Sequence, residues 1–202
     1  MPGPPPYEGL SRLAIRRAVE ESLRRLRTDY LDLYYLHQPD PRTPIEDTLE
    51  ALDELRREGK ILYTATSNYA SWQIGEMFAL CEKRDWPPPR VCQPMYNLLA
   101  RGIEQEYLAF SRRYGVSNVV YNPLAGGLLT GKQSAAKGPA PGTRFDGNER
   151  YLERYWHDAY FAAVDELKSA AERAGRSLVE ITLRWLRDRD GGDAVSLGAS
   201  RN

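Results

Sequence analysis

Residues 30–67 read YLDLYYLHQPDPRTPIEDTLEALDELRREGKILYTATS, and their pattern indicates the fold class. It opens at Tyr30 with a short aromatic and aliphatic run, which is typical of a strand. Apolar residues at helical spacing follow, and a second short apolar run begins at Ile61. A strand, a helix and a strand with short connections predict two parallel strands with the helix packed outside them.

The helix inside this stretch has a well-marked start and end. Thr43 and Glu46 have the spacing of a capping box, and Pro44 takes the first helical position, where proline is favoured. Gly59 ends the pattern, as glycine commonly does at helix C-termini. The residues expected to face inward are Ile45, Leu49, Leu52 and Leu55.

Strand and helix continue to alternate along the rest of the chain. Predicted strands start at residues 30, 61, 91 and 118, about one βα unit apart, and a last strand is AVSL, residues 194–197. Five other helices are predicted. The first is capped by Ser11 and has the apolar stripe Ile15, Val19, Leu23 and Leu26. The next three span about residues 71–84, 103–113 and 152–174, and the last follows a Ser177–Glu180 capping box.

These elements predict an α/β fold with about five parallel strands and outer helices in one domain, residues 1–202. Residues 1–9 are predicted as an irregular lead and residues 133–150 as a long loop. A parallel sheet of this kind either stays open and doubly wound or closes into an eight-stranded barrel. A complete (β/α)8 TIM barrel takes about 250 residues. The chain is therefore either a partial TIM barrel or a sheet that closes differently.

Composition excludes several functional classes. The 28 basic and 28 acidic residues cancel, so no net field draws the chain to nucleic acid or to an anionic membrane. No apolar run approaches the roughly 18 residues of a membrane span, and the N-terminal MPGPPPYEGL does not resemble a signal peptide. Cys81 and Cys92 have neither metal nor disulfide spacing and are expected to be reduced. We expect a cytoplasmic protein, with association into a homo-oligomer left open.

Each predicted strand delivers polar groups to its C-terminal end. These residues are His37, Ser67, Asn68, Gln93, Tyr121, Asn122 and the run 198–201. The same edge of a parallel sheet is where ligands bind. At any single strand such residues can simply mark where the strand stops. Their recurrence at five strands favours a shared ligand site.

A set of motifs in fixed order resembles the aldo-keto reductase superfamily. They are LHQPD from Leu36, SNYASW from Ser67, QPMYN from Gln93, YNPLAGGLLTGK from Tyr121, GTRFDGN from Gly142 with RYW after it, and SLGASR from Ser196. The chain most resembles the aflatoxin-aldehyde and succinic-semialdehyde reductase branch, from about Gly9 to its last residue. The resemblance implies strands four to eight of a (β/α)8 barrel that passes a hydride from NADPH to an aldehyde or ketone.

The resemblance assigns most strand-end residues to the cofactor NADP(H). Ser67, Asn68 and Gln93 are similar to the trio that binds the nicotinamide carboxamide, and Tyr121 would stack on the nicotinamide ring. The loop that resembles a pyrophosphate cover contains Asn122, Pro123, Leu124, Gly126, Gly127 and Lys132, with the glycine N–H groups near phosphate oxygens. Gly198, Ser200 and Arg201 resemble the start of a 2′-phosphate site, and Arg201 favours NADPH over NADH.

Two residues are implied for the carbonyl substrate. His37 would donate a hydrogen bond to the carbonyl oxygen as negative charge develops. Arg144 would lie near a substrate carboxylate, such as that of succinic semialdehyde. Without the motifs, both have plainer explanations, a histidine satisfied by its neighbours and a solvated loop arginine. Asn68 and Tyr121 would likewise be an ordinary turn former and a half-buried strand aromatic.

The chain departs from the family pattern in the catalytic tetrad of Asp, Tyr, Lys and His. Only the histidine has a counterpart, His37, because the other three would precede the region of resemblance. We therefore expect a chain truncated at both ends that is a weak or inactive reductase by itself. The alternative is a non-catalytic nucleotide-binding or interaction module derived from the barrel. Periodicity alone also allows a flavodoxin-like open sheet, although the motifs disfavour it.

Overall fold

The structure, a computed structural model, describes residues 9–189 and 191–198. The helices are α1 (Arg12–Leu26), α2 (Ile45–Arg57), α3 (Ser71–Arg84), α4 (Tyr107–Tyr114), α5 (Glu149–Tyr155), α6 (Asp158–Arg173) and α7 (Leu178–Arg187). The strands are β1 (Leu31–Leu36), β2 (Ile61–Ser67), β3 (Val91–Gln93), β4 (Ser117–Val120) and β5 (Ala194–Val195). Short 3₁₀ segments cover Gly102–Glu104, Ala125–Thr130 and Ala135–Lys137. The predicted α/β class, with five parallel strands and outer helices, is confirmed.

The described chain divides into two compact units. One holds the residues up to Pro94 together with Ala109–Ser117, and the other holds Met95–Leu108 and the residues from Asn118 onward. The single-domain organisation read from the sequence stays a prediction.

In the first unit, β1, β2 and β3 pair in parallel. Leu33 lies opposite Tyr63, and Ser67 lies opposite Gln93. Helix α2 packs against β2, and α1 and α3 each pack against α2. The fully buried side chains of the unit include Ile15, Val19, Leu52, Leu55, Ile61, Ile74 and Met77. Burial of these apolar side chains stabilises the unit.

In the second unit, β4 and β5 pair in parallel, with Val120 opposite Val195. A single bridge from Met95 to Tyr121 continues the ladder just past β4. The main core cluster contains Ala125, Leu128, Leu129, Phe145, Tyr155, Val164, Ala171 and Leu178. The predicted last strand is shorter than expected, because only the first two residues of AVSL pair.

The predicted stripe of α1 is correct for three of its four positions. Ser11 caps the helix, accepting a hydrogen bond from the Ala14 N–H at 3.3 Å. Leu26, however, is 65% exposed. It is the last helical residue, and the chain reverses immediately after it at Arg27, whose φ is 57°. The fourth apolar position therefore falls where the helix has no packing partner.

The capping box predicted for α2 is wrong, although the helix starts within one residue of the predicted place. The N-cap is Pro44, which has no side-chain hydrogen bond to offer. The Thr43 hydroxyl donates instead to Asp40 Oδ2 at 2.8 Å. At α7 half of the predicted capping box forms: Ser177 Oγ accepts from the Glu180 N–H at 3.1 Å, while the Glu180 carboxylate accepts from Arg176.

Two predicted helices are broken in the structure. The helix expected over residues 103–113 is a 3₁₀ turn, Gly102–Glu104, followed by α4. The helix expected over residues 152–174 is α5 and α6, separated at Trp156. This break lets the Trp156 ring pack edge-on against Phe145 and Phe161, with centroids 5.1 and 4.9 Å away. Aromatic packing thus overrides helix propensity here.

Within residues 9–189 and 191–198, no helix combines the length and apolar character needed to cross a bilayer. The same residues contain no group of three or more His, Cys, Asp and Glu side chains arranged to hold a metal ion.

Asp40 fastens the loop after β1 to the chain that leads into α1. Its carboxylate accepts hydrogen bonds from the N–H groups of Leu10 and Arg42, at 2.9 and 3.0 Å, and from the Thr43 hydroxyl. Burial by itself would raise the pKa of Asp40, but these hydrogen bonds and the Arg42 charge outweigh it, and the pKa falls to about 2. The ionised carboxylate therefore stabilises the fold.

We expect Asp40→Asn to lower the free energy of unfolding by about 2 kcal/mol at pH 7, since the stabilisation from the depressed pKa is lost. That stabilisation is complete above the unfolded-state pKa of ~3.9 and disappears as the pH falls from there towards about 2. Urea unfolding at pH values between 7 and 3 should show wild type and variant converging in acid. Asp32→Asn, at an exposed carboxylate on β1, is the control, and a gap that stays constant with pH would contradict the role of Asp40.

Candidate functional site

Three strands of the first unit deliver four of the predicted site residues to one edge. The pairing aligns Leu36 with Thr66 and Ser67 with Gln93. The residues just beyond Leu36 and Ser67 are His37 and Asn68. Because the strands are parallel, their C-terminal ends meet at this edge.

Hydrogen bonds link these four residues into one set. Asn68 has a left-handed backbone, with φ at 62°. Its Nδ2 donates to the backbone oxygen of His37 at 2.9 Å and to Ser67 Oγ at 3.1 Å. Ser67 Oγ in turn donates to the backbone oxygen of Gln93 at 2.8 Å. The strand ends are therefore locked together through side chains.

This pattern separates groups that hold the site from groups that face a ligand. Ser67 is buried and its only hydroxyl hydrogen is used on Gln93, so it orients its neighbours. The His37 imidazole is exposed and the Gln93 amide is half-buried. Neither makes a side-chain hydrogen bond within the part of the chain that the structure describes. An imidazole and a carboxamide are thus left to bind a ligand.

Tyr69 also supports this edge, a role that was not predicted from the sequence. Its hydroxyl donates to the backbone oxygen of Gln38 at 3.2 Å, just after His37. Burial, with the nearby Asp40 charge, raises the pKa of Tyr69 above its usual range, so the phenol stays a donor. Its place in the SNYASW motif was a signal, although a buried tyrosine alone suggests only packing.

In the second unit, Tyr121 and Asn122 follow β4. Asn122 repeats the backbone of Asn68, with φ at 62°. The Tyr121 ring is half-buried, and burial raises the pKa of its phenol while the nearby Arg154 charge opposes the shift. Arg154 was not predicted, although it lies in the quoted RYW motif. A neutral, partly open ring is suited to stacking on a flat ligand.

The glycine pair lies in a tight turn after Asn122. The Gly126 N–H donates to Asn122 Oδ1 at 2.9 Å, and the Gly127 N–H donates to the Leu124 oxygen at 2.9 Å. Both N–H groups are therefore used within the turn, which corrects the prediction that they are available to phosphate. The turn itself needs glycine, because φ is 70° at Gly126 and 107° at Gly127.

The two glycines have different surroundings. A Cβ at Gly126 would lie 2.7 Å from the Tyr151 ring, whereas a Cβ at Gly127 would meet nothing within 4 Å. Gly127 therefore borders open space that a ligand can approach. Pro123 is buried and Leu124 packs against the core cluster, so neither presents its side chain outward.

Three further predicted residues, Lys132, Arg144 and Gly198, are exposed. Lys132 ends the turn, and its ammonium has no ion pair within the described ranges. Arg144 donates to the Tyr151 hydroxyl at 3.1 Å, and Tyr151 covers Gly126, so Arg144 lies near the glycine turn. Gly198 follows β5. Ser200 and Arg201 lie outside the described residues.

A buried polar cluster beneath this turn was not foreseen. Tyr155 and Asn97 are fully buried, and the Tyr155 hydroxyl contacts Asn97, Asn122 and Met95. Burial, partly opposed by the Asn97 hydrogen bond, raises the pKa of Tyr155 to about 12. Asn97 and Tyr155 lie in the quoted QPMYN and RYW motifs, but the sequence does not reveal that they meet.

Known proteins resemble this chain over nearly its whole length. The Aldo/keto reductase family matches residues 3–202. Aflatoxin B1 aldehyde reductase member 2 of Rattus norvegicus is 40% identical over 96% of this chain and 58% of its own length. Aldo-keto reductase YhdN of Bacillus subtilis is 34% identical over 96% of this chain and 57% of its own length. The chain thus spans about three-fifths of such relatives.

A solved structure shows the same fold. The glycerol dehydrogenase AKR11B4 from Gluconobacter oxydans superposes with a TM-score of 0.75 at 32% identity, covering 93% of this chain and 55% of that one. The family resemblance read from the motifs is confirmed by these matches.

We expect Gly126→Ala to destabilise the chain more than Gly131→Ala. The two glycines have nearly the same backbone, with φ and ψ of 70° and 5° against 71° and 10°, so both alanines carry a similar conformational cost of about 1 kcal/mol. At Gly131 the nearest atom is the flexible end of Lys168, whereas at Gly126 it is the Tyr151 ring. Overpacking should add about 1–3 kcal/mol at Gly126. Equal losses in urea unfolding would show that the Tyr151 ring does not confine the turn.

Proposed function

Because the chain belongs to the aldo/keto reductase family, we propose that its residues bind NADPH and a carbonyl substrate for reduction of an aldehyde or ketone to an alcohol. The observation that carries this proposal is the hydrogen-bonded set at the ends of β1, β2 and β3. It leaves the His37 imidazole and the Gln93 amide to face a ligand. A carbonyl oxygen and a carboxamide are groups that these side chains bind well.

The nicotinamide end of NADPH fits the chemistry of these donors and acceptors. Gln93 would exchange hydrogen bonds with the carboxamide. Ser67 Oγ holds the backbone oxygen of Gln93 in place, and Asn68 donates in turn to Ser67 Oγ. The Tyr121 ring would stack on the nicotinamide and fix which ring face points to substrate. When bound, NADPH supplies the hydride.

The phosphates of NADPH would lie along the turn that follows β4. Gly127 borders open space, and the exposed ammonium of Lys132 supplies positive charge. Asn122, Pro123, Leu124 and Gly126 would shape this turn. Gly198, Ser200 and Arg201 would hold the adenosine 2′-phosphate, and the guanidinium of Arg201 favours NADPH over NADH.

His37 would donate a hydrogen bond to the substrate carbonyl and stabilise the charge that develops on its oxygen. Arg144 would bind a carboxylate on the same substrate, so the proposed class is a small aldehyde that carries a carboxylate. The relatives named as aldehyde reductases support the aldehyde. A cytoplasmic location and association into a homo-oligomer remain predictions from the sequence.

For the 202-residue chain by itself we propose nucleotide binding with weak or no turnover. His37 is the one tetrad residue matched in it, and loss of a general acid typically lowers a rate by about 10²–10⁴. A chain that binds NADPH without any turnover would fit the alternative, a non-catalytic nucleotide-binding module.

We expect Gln93→Ala to weaken NADPH binding by about two- to tenfold, because one or two hydrogen bonds to the carboxamide are lost. Quenching of protein fluorescence on titration with NADPH measures the affinity, and NADH should bind more weakly than NADPH. Gln105→Ala, at an exposed glutamine, should bind like wild type. A wild-type chain without measurable NADPH binding would overturn the proposed function.

Carbonyl turnover is the second test. Any NADPH oxidation with succinic semialdehyde or a nitrobenzaldehyde should be slow, and we expect its rate to fall by at least about tenfold in His37→Ala because the oxygen loses its donor. NADPH affinity should change little. The chain has only two histidines, so His157→Ala is the matched control. Rates that are equal in wild type and His37→Ala would remove His37 from the reaction.

A further inference from the structure

The Tyr155 hydroxyl is the meeting point of a buried polar network in the second unit. Tyr155 is the last residue of α5, and its side chain is fully buried in the apolar core cluster. Its hydroxyl accepts from Asn122 Nδ2 at 2.8 Å and from Asn97 Nδ2 at 3.2 Å, and it donates to Met95 Sδ at 3.1 Å. A phenol has one hydrogen and two lone pairs, so every hydrogen-bonding capacity is used.

Hydrogen bonds hold both the side-chain amide and the backbone oxygen of Asn122. Its Oδ1 accepts from the Gly126 N–H at 2.9 Å, and its Nδ2 donates to Tyr155. Its backbone oxygen accepts from Asn97 Nδ2 and from the Ala125 N–H, both at 3.0 Å. Asn97 is fixed in turn, because its Oδ1 accepts from two backbone N–H groups in its own loop.

The direction of the Asn122 amide depends on Tyr155. A side-chain amide can flip, exchanging its oxygen and nitrogen, and only the correct orientation gives the Gly126 N–H an acceptor. The Tyr155 hydroxyl donates to Met95, so it presents lone pairs to Asn122 and selects the orientation with Nδ2 facing it. Oδ1 is then directed at Gly126.

We propose that Tyr155 is a positioning residue of the cofactor site: its hydroxyl sets the Asn122 amide and thereby the turn that carries Tyr121 and the glycine pair. The link to Tyr121 is direct, since Asn122 follows it and the Tyr121 oxygen accepts from the Tyr96 N–H at 3.3 Å. The part of this inference that concerns NADPH rests on the proposed function. The part that concerns the turn stands without it.

Tyr155→Phe removes the hydroxyl and keeps the ring. Asn122 Nδ2 then loses its acceptor in the core, so the amide rotates and the Gly126 N–H loses Oδ1. Hydrogen exchange of the Gly126 amide should accelerate about fivefold or more, while amides of α6 near Val164 keep their protection. Those α6 amides separate a local effect on the turn from general unfolding.

The matched control is Tyr160→Phe. The Tyr160 ring centroid is 6.3 Å from that of Tyr155, and its hydroxyl has no hydrogen bond among the described residues. This variant should exchange like wild type at Gly126. In a chain with Asn122→Gly, which keeps the left-handed backbone but has no amide, adding Tyr155→Phe should have little further effect.

Binding of two probes tests the link to the cofactor. We expect Tyr155→Phe to weaken NADPH about three- to tenfold and to leave 2′,5′-ADP within about twofold, because 2′,5′-ADP lacks the nicotinamide and the pyrophosphate. Unchanged Gly126 exchange, or an equal loss for both probes, would overturn the inference. A wild-type chain that does not bind NADPH would contradict the proposed function, and Gly126 exchange would still decide whether Tyr155 holds the turn.

Discussion

Two asparagine side chains, Asn68 and Asn122, hold the strand ends from which the other candidate site groups extend. Each follows a parallel strand in a left-handed backbone conformation, with φ at 62°. Asparagine tolerates this conformation better than most residues, since its short amide can bond the neighbouring backbone. Asn68 bonds the backbone oxygen of His37, and Asn122 accepts from the Gly126 N–H. The chain thus leaves each strand in a defined direction at the point where a ligand would bind.

The two units hold these asparagine side chains in different ways. Asn68 is exposed at the edge of the sheet, where the His37 ring is also exposed and the Gln93 amide is half-buried. At Asn122 the partners lie in the core, where each side-chain polar atom of Tyr155, Asn97 and Asn122 has a hydrogen bond. Burial makes the second arrangement more rigid, because an unmade hydrogen bond costs more in the core than at the surface.

Much of the fold could be predicted from the sequence, because apolar periodicity reports βα alternation directly. The bounds of α3 were predicted to the residue, and His37, Ser67, Asn68 and Gln93 were correctly expected at one edge. The break at Trp156 and the exposure of Leu26 depend on which neighbours a residue finds in three dimensions. For the same reason, the sequence did not predict the buried hydrogen bonds of Tyr155 or the hydrogen bonds that the glycine N–H groups make inside their own turn.

The hydrogen bond from Asn68 to His37 ties the two recognition tasks of the site to one another. The amide that stabilises the cofactor edge also fixes the backbone of the residue assigned to the carbonyl. Under the proposed function, remodelling the loop after β1 to accept a different aldehyde would therefore also disturb the strand end proposed to face the nicotinamide. Directed evolution of aldehyde or cofactor binding therefore has to treat Asn68 as a residue that serves both. Libraries that vary the loops after β1 and β2 together have more freedom than libraries that vary one of these loops.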